Sequence, residues 1–409
     1  MRNLSVDGAR LWKSLMDMAE IGATPKGGSR RLALSDSDRQ GRDLFVRWCR
    51  EAGCSIRVDR MGNIFARRPG KDESRPPVMM GSHLDTQPSG GKFDGVYGVL
   101  AGLEVIRTLN DHGYESDSPV ELAVWTNEEG ARFAPSMIGS GVFAGTYSIE
   151  KGLACADVDG TTIGEELRRI GYAGDDPCGG RPIRAFFEAH IEQGPILEAE
   201  GKTIGVVTGA QGLRWYDVTV GGMDSHAGTT PMDRRRDAMA GAARMLVAAE
   251  RIGKTTPGAV TTVGMLRVVP SSRNVVPGEV FFTVDARHPD GDTLAAMDAA
   301  LRGSFAEIAQ QADLKLAIET VTDTAPVVFD EGCVDAVRQA AEGSGYPCRD
   351  IVSGAGHDAC FINEVAPTAM IFVPCKDGIS HNEIESAAPD DLTAGCNVLL
   401  RVVLTAAEW

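Results

Sequence analysis

Three kinds of feature are scarce or missing in this 409-residue sequence. Its nine cysteines are odd in number and form no C-x-x-C pair, which argues against a disulfide framework and a zinc knuckle. It has no run of about 18 uncharged apolar residues that could cross a bilayer. Its 57 Asp and Glu outnumber its 41 Lys and Arg, and the resulting net charge of −16 argues against a nucleic-acid binder. We therefore expect reduced thiols, a cytoplasmic location and neither membrane nor nucleic-acid partners, although one Arg in a cleft can still bind a small anion.

The residues that are present predict a folded chain with room for two domains. Apolar residues make up 43% of the sequence and charged residues 24%, which is typical of a globular protein. Near the amino terminus, Trp12, Lys13, Asp17 and Glu20 lie among apolar residues, and this pattern predicts an amphipathic helix and not a signal sequence.

Short apolar runs, typical of buried strands, alternate with helical patterns along most of the chain. The predicted strands lie at residues 77–81, 120–125, 185–189, 203–207 and 368–374, and a helix with one apolar face is predicted at 95–110. This alternation predicts an α/β fold with a mainly parallel sheet.

The stretch between residues 213 and 325 has a different order of elements. Strands are predicted at 215–220, 259–268, 280–287 and 314–320, and helices at 233–252 and 292–312. The resulting β-α-β-β-α-β order matches a ferredoxin-like α+β unit. We therefore expect residues 213–325 to form an inserted domain, within a discontinuous larger domain made of residues 1–212 and 326–409.

Histidines and carboxylates follow the predicted buried strands. His83 and Asp85 can converge because residues i and i+2 of an extended chain point the same way, so Asp85 could orient His83 as a metal ligand. Glu128 and Glu129 diverge, so one could bind metal while the other acts as a general base. His190 follows the third strand. Taken alone, His83 and Asp85 could equally be a loop histidine beside a solvated aspartate. Glu128 and Glu129 alone could be part of a solvated acidic loop.

Asp94 and His381 extend this set of candidates. Asp94 stands where it could either cap the helix at 95–110 or bridge two ions. His381 follows the strand at 368–374. Since the carboxyl ends of parallel strands meet at one edge of a sheet, three histidines and several carboxylates are expected together there. Such a ligand set suits two Zn²⁺-like ions.

Six motifs carry these candidates in a fixed order along the chain. They are Gly81–Thr86, Gly91–Gly95, Asn127–Gly130, His190–Pro195, Ser225–Met232 and Ser380–Glu383. Together they resemble the hydantoinase/carbamoylase-type amidases, which belong to the M20 group of di-metal aminoacylases and peptidases. General M20 peptidases usually have an acidic residue at the position of His190, so this segment favours the amidase branch.

The resemblance implies an aminopeptidase-like di-metal domain with an inserted lid and dimerisation domain. It also implies a role for each residue of the centre: His83, Asp94 and His190 bind metal with Asp94 bridging, Glu129 and His381 complete the second ion, Glu128 is the catalytic base and Asp85 is its companion.

Substrate contacts are implied in both domains. His226 would reach a neighbouring subunit's site and stabilise the oxyanion, and Asn274 and Arg287 would contact the substrate's carboxylate and amide. Weaker candidates are Gln193, Arg214, Gly356 and His357. For Arg214, a surface charge on the inserted domain is an equal alternative, and Arg234–Arg236 is interpreted as the solvated start of a helix.

The predicted activity is hydrolysis of a linear C–N amide bond by a cytoplasmic homodimer with two divalent ions per subunit. Zinc is the first candidate, and manganese, cobalt and nickel are alternatives. The substrate would carry a ureido group and a carboxylate, with N-carbamoyl-L-amino acids expected to yield ammonia, carbon dioxide and the amino acid. Allantoate and N-carbamoyl-β-alanine remain alternatives, and a peptidase or N-acyl amino-acid deacylase is a further one.

Overall fold

The chain folds into two compact units in a computed structural model that describes residues 4–409. One unit contains the chain up to Thr208 together with Phe329–Trp409, and the other contains Gly209–Val328. The second unit thus begins four residues before the predicted boundary at 213 and ends three residues after 325. Within the described residues, no helix is both long and apolar enough to cross a bilayer. The nine cysteines carry free thiols.

The elements alternate between helix and strand along most of the chain. The helices are α1 (Gly8–Ala19), α2 (Asp36–Glu51), α3 (Val96–Asp111), α4 (Ile138–Ala144), α5 (Ile149–Ala154), α6 (Ile163–Ile170), α7 (Ile196–Ala199), α8 (Ala238–Thr255), α9 (Gly291–Gln311), α10 (Glu331–Gly343), α11 (Asp358–Ile362) and α12 (Pro389–Glu408). The strands are β1 (Ser55–Val58), β2 (Ile64–Arg68), β3 (Val78–His83), β4 (Val120–Trp125), β5 (Ala185–Ile191), β6 (Ile204–Ala210), β7 (Gly212–Gly221), β8 (Ser225–His226), β9 (Val260–Thr262), β10 (Leu266–Val269), β11 (Val275–Val276), β12 (Glu279–His288), β13 (Lys315–Thr324), β14 (Val327–Val328), β15 (Cys348–Ser353) and β16 (Thr368–Val373).

The first unit is built around a mixed sheet in the order β1-β2-β4-β3-β5-β16-β6, with β15 beside β6. The four central strands β4, β3, β5 and β16 are parallel, and β2 and β6 join them antiparallel. Every residue of these four strands is buried, as expected for a parallel sheet whose faces are covered. The predicted α/β architecture is confirmed, and the parallel strands bring their carboxyl ends to one edge.

The second unit has a five-stranded antiparallel sheet in the order β10-β12-β7-β13, with β9 also paired to β12. Burial alternates along β12, and its inward residues share a core with α8 and α9. One sheet face is therefore covered by two helices. This sheet and its helices follow the β-α-β-β-α-β order of a split βαβ unit.

Several predicted boundaries are wrong. The helix predicted at 233–252 begins at Ala238, because the Asp237 carboxylate caps it by accepting the N–H groups of Met239 and Ala240. Arg234–Arg236 therefore precede this helix and do not open it; Arg235 instead donates to the carbonyls of Ala227 and Thr230.

Two other differences concern whole elements. The strand predicted at 259–268 is two short strands, β9 and β10. Helices α4 to α6 and the 20-residue α12 were not predicted. Strands β3 and β5 extend further than predicted, so His83 and His190 lie in strands and not in the following loops.

Candidate metal centre

His83 and His190 are positioned by neighbouring parallel strands. Strand β3 ends at His83, and His190 is the penultimate residue of the adjacent β5. Their ring centroids are 6.1 Å apart, and both side chains are buried. The sheet therefore fixes two imidazoles at the edge where the central strands end.

Backbone carbonyls orient both imidazoles. The Nδ1 of His83 lies 2.9 Å from the carbonyl oxygen of Asp85, and the Nδ1 of His190 lies 2.9 Å from that of Ile191. Because a carbonyl only accepts, each Nδ1 carries a proton and donates it. Each Nε2 atom then faces the Asp94 carboxylate, at 3.6 Å for His83 and 3.2 Å for His190.

Asp94 is the centre of the cluster. Its Oδ1 faces the two histidines just described, while its Oδ2 lies 3.3 Å from the Nε2 of His381 and accepts from the side-chain amide of Gln193 at 2.9 Å. The N-cap of α3 is Gly95, without a side-chain capping bond, so Asp94 does not cap the helix. Although burial opposes it, hydrogen bonding to the three histidines holds the pKa of Asp94 well below its usual range.

The two adjacent glutamates diverge as expected. Glu129 Oε2 lies 3.4 Å from the Nε2 of His381, and its carboxylate accepts from the Gln87 backbone and side chain. Glu128 Oε2 lies 3.4 Å from the Nε2 of His83. Burial raises the pKa of Glu129 to about 7 and that of Glu128 well above its usual range. One glutamate thus joins His381 while the other faces His83.

Asp85 contacts the two glutamates through its carboxylate and His83 through its backbone carbonyl. Its carboxylate accepts the backbone N–H groups of Glu128 and Glu129, at 3.3 and 3.2 Å. The nearest approach of that carboxylate to His83 Nδ1 is 3.9 Å, whereas the Asp85 carbonyl oxygen lies at 2.9 Å. The ring is therefore hydrogen-bonded to the Asp85 carbonyl oxygen, and the orientation of His83 by the Asp85 carboxylate stays a prediction. The carboxylate positions the glutamates.

These residues form two groups that fit divalent metal ions. Their ligand atoms lie within 4.8 Å of one another in each group, and Asp94 belongs to both: His83–Asp94–His190 and Asp94–Glu129–His381. Although burial lowers the pKa of His83, the Glu128, Asp94 and Asp85 carboxylates raise it well above its usual range. The same negative field attracts a cation, which would replace the Nε2 proton. Nitrogen and carboxylate ligands suit zinc, manganese, cobalt or nickel.

Backbone strain accompanies this arrangement. Asn127, Gln193 and His381 have φ values of 57°, 58° and 51°, in the left-handed region that non-glycine residues seldom adopt. Each lies in or beside a candidate ligand segment, and the side-chain amide of Asn127 donates to the Phe133 carbonyl oxygen at 2.8 Å. Strain of this kind is common at functional sites, where surrounding contacts impose it.

Sequence reasoning missed Glu385, which joins two ligand segments. Its Oε1 accepts the N–H groups of Phe93 and Asp94 at 2.9 and 3.2 Å, and its Oε2 accepts from Ser380 Oγ at 2.8 Å. A Cβ atom on Gly91 would lie 2.0 Å from that Oε1, so the close approach requires glycine. The glycine-rich stretch before Asp94 was the one signal in the sequence that could have indicated this contact, because glycine leaves room for the Glu385 carboxylate.

The remaining candidates of the first unit lie around His190. The ring of His357 is 4.6 Å from that of His190, and its Nε2 is 2.9 Å from Ser353 Oγ. His357 is 2% exposed, and burial lowers its pKa well below the usual range. This neutral ring lies against His190, while the neighbouring Gly356 is exposed.

His226 and Asn274 lie together in the second unit. Strands β8 and β11 pair, and the N–H of Ala227 donates to the carbonyl oxygen of Asn274 at 3.0 Å. The Nδ1 of His226 accepts the N–H groups of Gly228 and Thr229, so the proton of the neutral ring is on Nε2. The exposed His226 is thereby prepared as a donor.

Arg287 lies at the opposite end of β12 from that pair. Arg287 is eight positions along β12 from Glu279 at the start of the strand, which corresponds to about 27 Å. Its guanidinium contacts the Asp285 carboxylate at 2.8 Å. Arg214 pairs with Ala286 across the sheet and so lies on the helix-covered face, whereas Arg287 lies on the other.

Arg214 is held by two carboxylates of its own unit. It contacts Asp323 at 2.8 Å and Asp298 of α9 at 3.7 Å. These contacts favour the surface-charge interpretation of Arg214 over substrate binding.

Comparison with known proteins agrees with these features. Residues 79–405 match the family model described as "Peptidase family M20/M25/M40". The chain belongs to this family. It is 51% identical over 407 residues to an N-carbamoyl-L-amino-acid amidohydrolase of Rhizobium meliloti, with 99% of this chain and 98% of the relative covered. An allantoate amidohydrolase of Escherichia coli is 34% identical over 385 residues, with 93% and 94% covered.

The fold agrees with a solved amidase as well. A hydantoinase/carbamoylase family amidase of Burkholderia multivorans superposes with a TM-score of 0.96 and 63% identity, covering 99% of this chain and 98% of that one. The resemblance inferred from the motifs is confirmed, and the chain is a hydrolase of this group.

Proposed function

We propose that the protein hydrolyses N-carbamoyl-L-amino acids to ammonia, carbon dioxide and the free amino acid. The observation that carries this proposal is the pair of ligand groups sharing Asp94, with the Glu128 carboxylate beside them. The name of the Rhizobium meliloti relative, which matches over nearly the whole chain, supports the same substrate class.

Two divalent ions are proposed to occupy the centre. His83, Asp94 and His190 would hold one ion, and Asp94, Glu129 and His381 the other. Such ions would polarise the ureido carbonyl and lower the pKa of the attacking water. Zinc is the first candidate, with manganese, cobalt and nickel as alternatives, because this ligand set accepts them all.

Glu128 is the proposed general base. Its carboxylate faces the centre from a loop that the Asp85 carboxylate holds through the N–H groups of Glu128 and Glu129. Glu128 takes a proton from the attacking water and returns it to the leaving nitrogen. Gln193, held against Asp94 by its amide, is proposed to orient the substrate.

The second unit is proposed to supply the contacts to the substrate's polar ends. His226 would donate from Nε2 to the developing oxyanion, and Arg287 would bind the carboxylate with its planar fork. An N-carbamoyl amino acid has a backbone of about two residues, roughly 7 Å. His226 lies on β8, beyond the Glu279 end of β12, and Arg287 lies about 27 Å along β12 from that end, so we propose that one second unit does not bring both to the same substrate.

We therefore propose a homodimer in which each substrate meets second-unit residues of two chains. Strand β10 is an edge strand with exposed Leu266 and Val269, next to the exposed Met265. The opposite edge strand β13 carries the charged Lys315, Glu319 and Asp323 at exposed positions, together with the exposed Val321. An apolar sheet edge is suited to pairing with a second copy, and charges discourage it. The predicted roles of this unit as lid and dimerisation domain, and the cytoplasmic location, stay predictions.

A panel of substrates tests the proposed function. Ammonia release is measured with N-carbamoyl-L-amino acids, allantoate and N-carbamoyl-β-alanine, and amino-acid release with dipeptides and N-acetyl amino acids, with and without a chelator. We expect the highest kcat/KM for N-carbamoyl-L-amino acids and loss of activity with the chelator. Preference for allantoate or dipeptides, or activity that survives complete metal removal, would contradict the proposal.

A further inference from the structure

Two buried arginines lie behind the loops of the metal centre. Arg31 and Arg42 are each 1% exposed, and both lie upstream of residues 79–405, the range that matches the family model. Buried guanidinium groups are costly unless carbonyls and carboxylates satisfy them. The groups that accept their hydrogen bonds therefore indicate which segments the two arginines stabilise.

Arg31 binds the segment that follows His83. Its Nε donates to the carbonyl oxygen of Leu84 at 2.7 Å. Its backbone N–H donates to Thr86 Oγ1 at 2.8 Å, and its carbonyl oxygen accepts the N–H of Thr86 at 3.0 Å. Its Nη1 donates to the carbonyl oxygen of Ile21 at 2.8 Å, after the end of α1. The guanidinium thus ties the end of the first helix to the Leu84 backbone, and the Arg31 backbone itself bonds to Thr86 on the other side of Asp85.

Arg42 binds the segment that precedes Glu128. From α2, its Nη2 donates to Thr126 Oγ1 at 3.3 Å, and its Nη1 donates to the Gly62 carbonyl oxygen at 2.7 Å. Its Nε donates to the buried Asp38 carboxylate at 2.9 Å. This guanidinium therefore ties α2 to the end of β4, two residues before the proposed base.

Charge is balanced within this network. Arg31 and Arg42 are accompanied by the buried carboxylates of Asp38 and Asp85. Burial lowers the pKa of Arg31 to about 10, so its guanidinium remains charged at neutral pH. Asp85 connects the two segments, since it lies between the Arg31 contacts at residues 84 and 86 and accepts the N–H groups of Glu128 and Glu129.

We propose that Arg31 and Arg42 are positioning residues that hold the His83–Thr86 and Thr126–Glu129 segments in the register required by the metal centre. The proposal rests on the proposed metal centre and extends it to residues upstream of the matched family range. Arginine suits this task because its planar group makes several fixed hydrogen bonds at once, whereas lysine offers a single ammonium.

Lysine substitutions test the proposal, with a matched control elsewhere in the same unit. Arg68 is also buried, and it donates to the Asn110 side chain and the Tyr114 carbonyl oxygen, away from the ligand segments. Metal affinity is measured by competition with a chromophoric chelator, together with Tm, kcat and KM. For Arg31→Lys and Arg42→Lys we expect metal affinity and kcat each to fall about 10- to 100-fold, with KM nearly unchanged. Arg68→Lys should lower Tm while leaving metal affinity and kcat near their original values.

A second pair of variants covers the case in which the lysine variants fail to fold. Thr126→Val removes the hydroxyl that accepts from Arg42 at nearly constant volume, and Thr126→Ser keeps it. We expect Thr126→Val to lower kcat and metal affinity, and Thr126→Ser to restore both. Equal values for the Val and Ser variants, or an equal loss of metal affinity in Arg68→Lys, would overturn the proposal. The metal readout separates this failure from failure of the proposed substrate, because it requires no turnover.

Discussion

The predicted metal ligands and the predicted substrate residues are held in different ways. In the first unit, His83, Asp94 and His190 are buried and their ligand atoms lie within 4.8 Å of one another. In the second unit, the exposed His226 lies on β8, beyond one end of the larger sheet, and Arg287 lies near the other end of that sheet. A single chain therefore brings the candidate metal ligands together, whereas we propose that the substrate contacts come from the second units of two chains.

The two regions also differ in the supports behind their functional groups. In the first unit, backbone carbonyls orient His83 and His190, Asp85 holds Glu129 and Glu385 holds Asp94, whereas His381 is exposed. In the second unit, Arg287 is partnered by Asp285 on its own strand. Rigid support suits groups that must hold charge at fixed distances. We expect substitutions in the metal centre of the first unit to change kcat. Substitutions of the substrate residues in the second unit should also change KM.

The largest effect is expected for Glu128→Gln. The variant removes the proposed base without removing a proposed ligand, so kcat should fall about 10³- to 10⁴-fold while metal content stays at the original value. Glu129→Gln is the matched comparison, and it should lose metal. Kinetics and metal analysis check both. A Glu128→Gln variant with nearly full activity would show that the base is another group.

Arg287→Ala should raise KM about 100-fold for substrates with a carboxylate, because a bidentate charged contact is lost. Arg214→Ala is the matched control on the other sheet face, and its KM should change little. Steady-state kinetics with a carbamoyl amino acid and its amide separate the two. Equal effects of the two variants would remove the distinction between the sheet faces.

Mixed dimers test whether two chains share one site. His226→Ala and Arg287→Ala chains, each of low activity at substrate concentrations near the original KM, are co-expressed with different tags, purified as heterodimers and assayed at such a concentration. One of the two sites then contains the original His226 of one chain and the original Arg287 of the other, so about half of the original rate should return. No recovery in purified heterodimers would show that both residues serve the same chain's centre or that neither serves it.

A smaller effect is expected for Asp85→Asn. The amide can accept only one of the two N–H groups of Glu128 and Glu129, so kcat should fall about tenfold while metal affinity changes less. His83→Ala is the comparison, and it should lose metal outright. Loss of metal in Asp85→Asn as complete as in His83→Ala would support the predicted role of its carboxylate in orienting that histidine.

Short-range patterns predicted the sheet and the clustering of ligands. His83, Glu128 and His190 follow or end apolar runs, and the carboxyl ends of parallel strands necessarily meet. The β-α-β-β-α-β order of the second unit was visible for the same reason, since its periodicity is local. The start of α8 was missed because the Asp237 cap outweighs the helical pattern before it.

Contacts between distant segments could not be predicted. Glu385 binds the N–H of Phe93 across 292 positions, and Arg42 reaches Thr126 across 84. Such bonds depend on how distant loops pack together, and the local periodicity of the sequence does not predict that packing. The hydrogen bond from His83 to the Asp85 carbonyl could not be predicted for the same reason, because the turn after His83 decides which Asp85 oxygen atom faces the ring.

Metal titration of the stripped protein tests the central claim most directly. Chelator-treated protein is titrated with zinc while bound metal and ammonia release from an N-carbamoyl-L-amino acid are followed together. The account predicts two equivalents per chain, with activity returning as the centre fills, and loss of both equivalents in Asp94→Ala. Full activity without metal, or an Asp94→Ala variant that binds two equivalents and turns over normally, would contradict it.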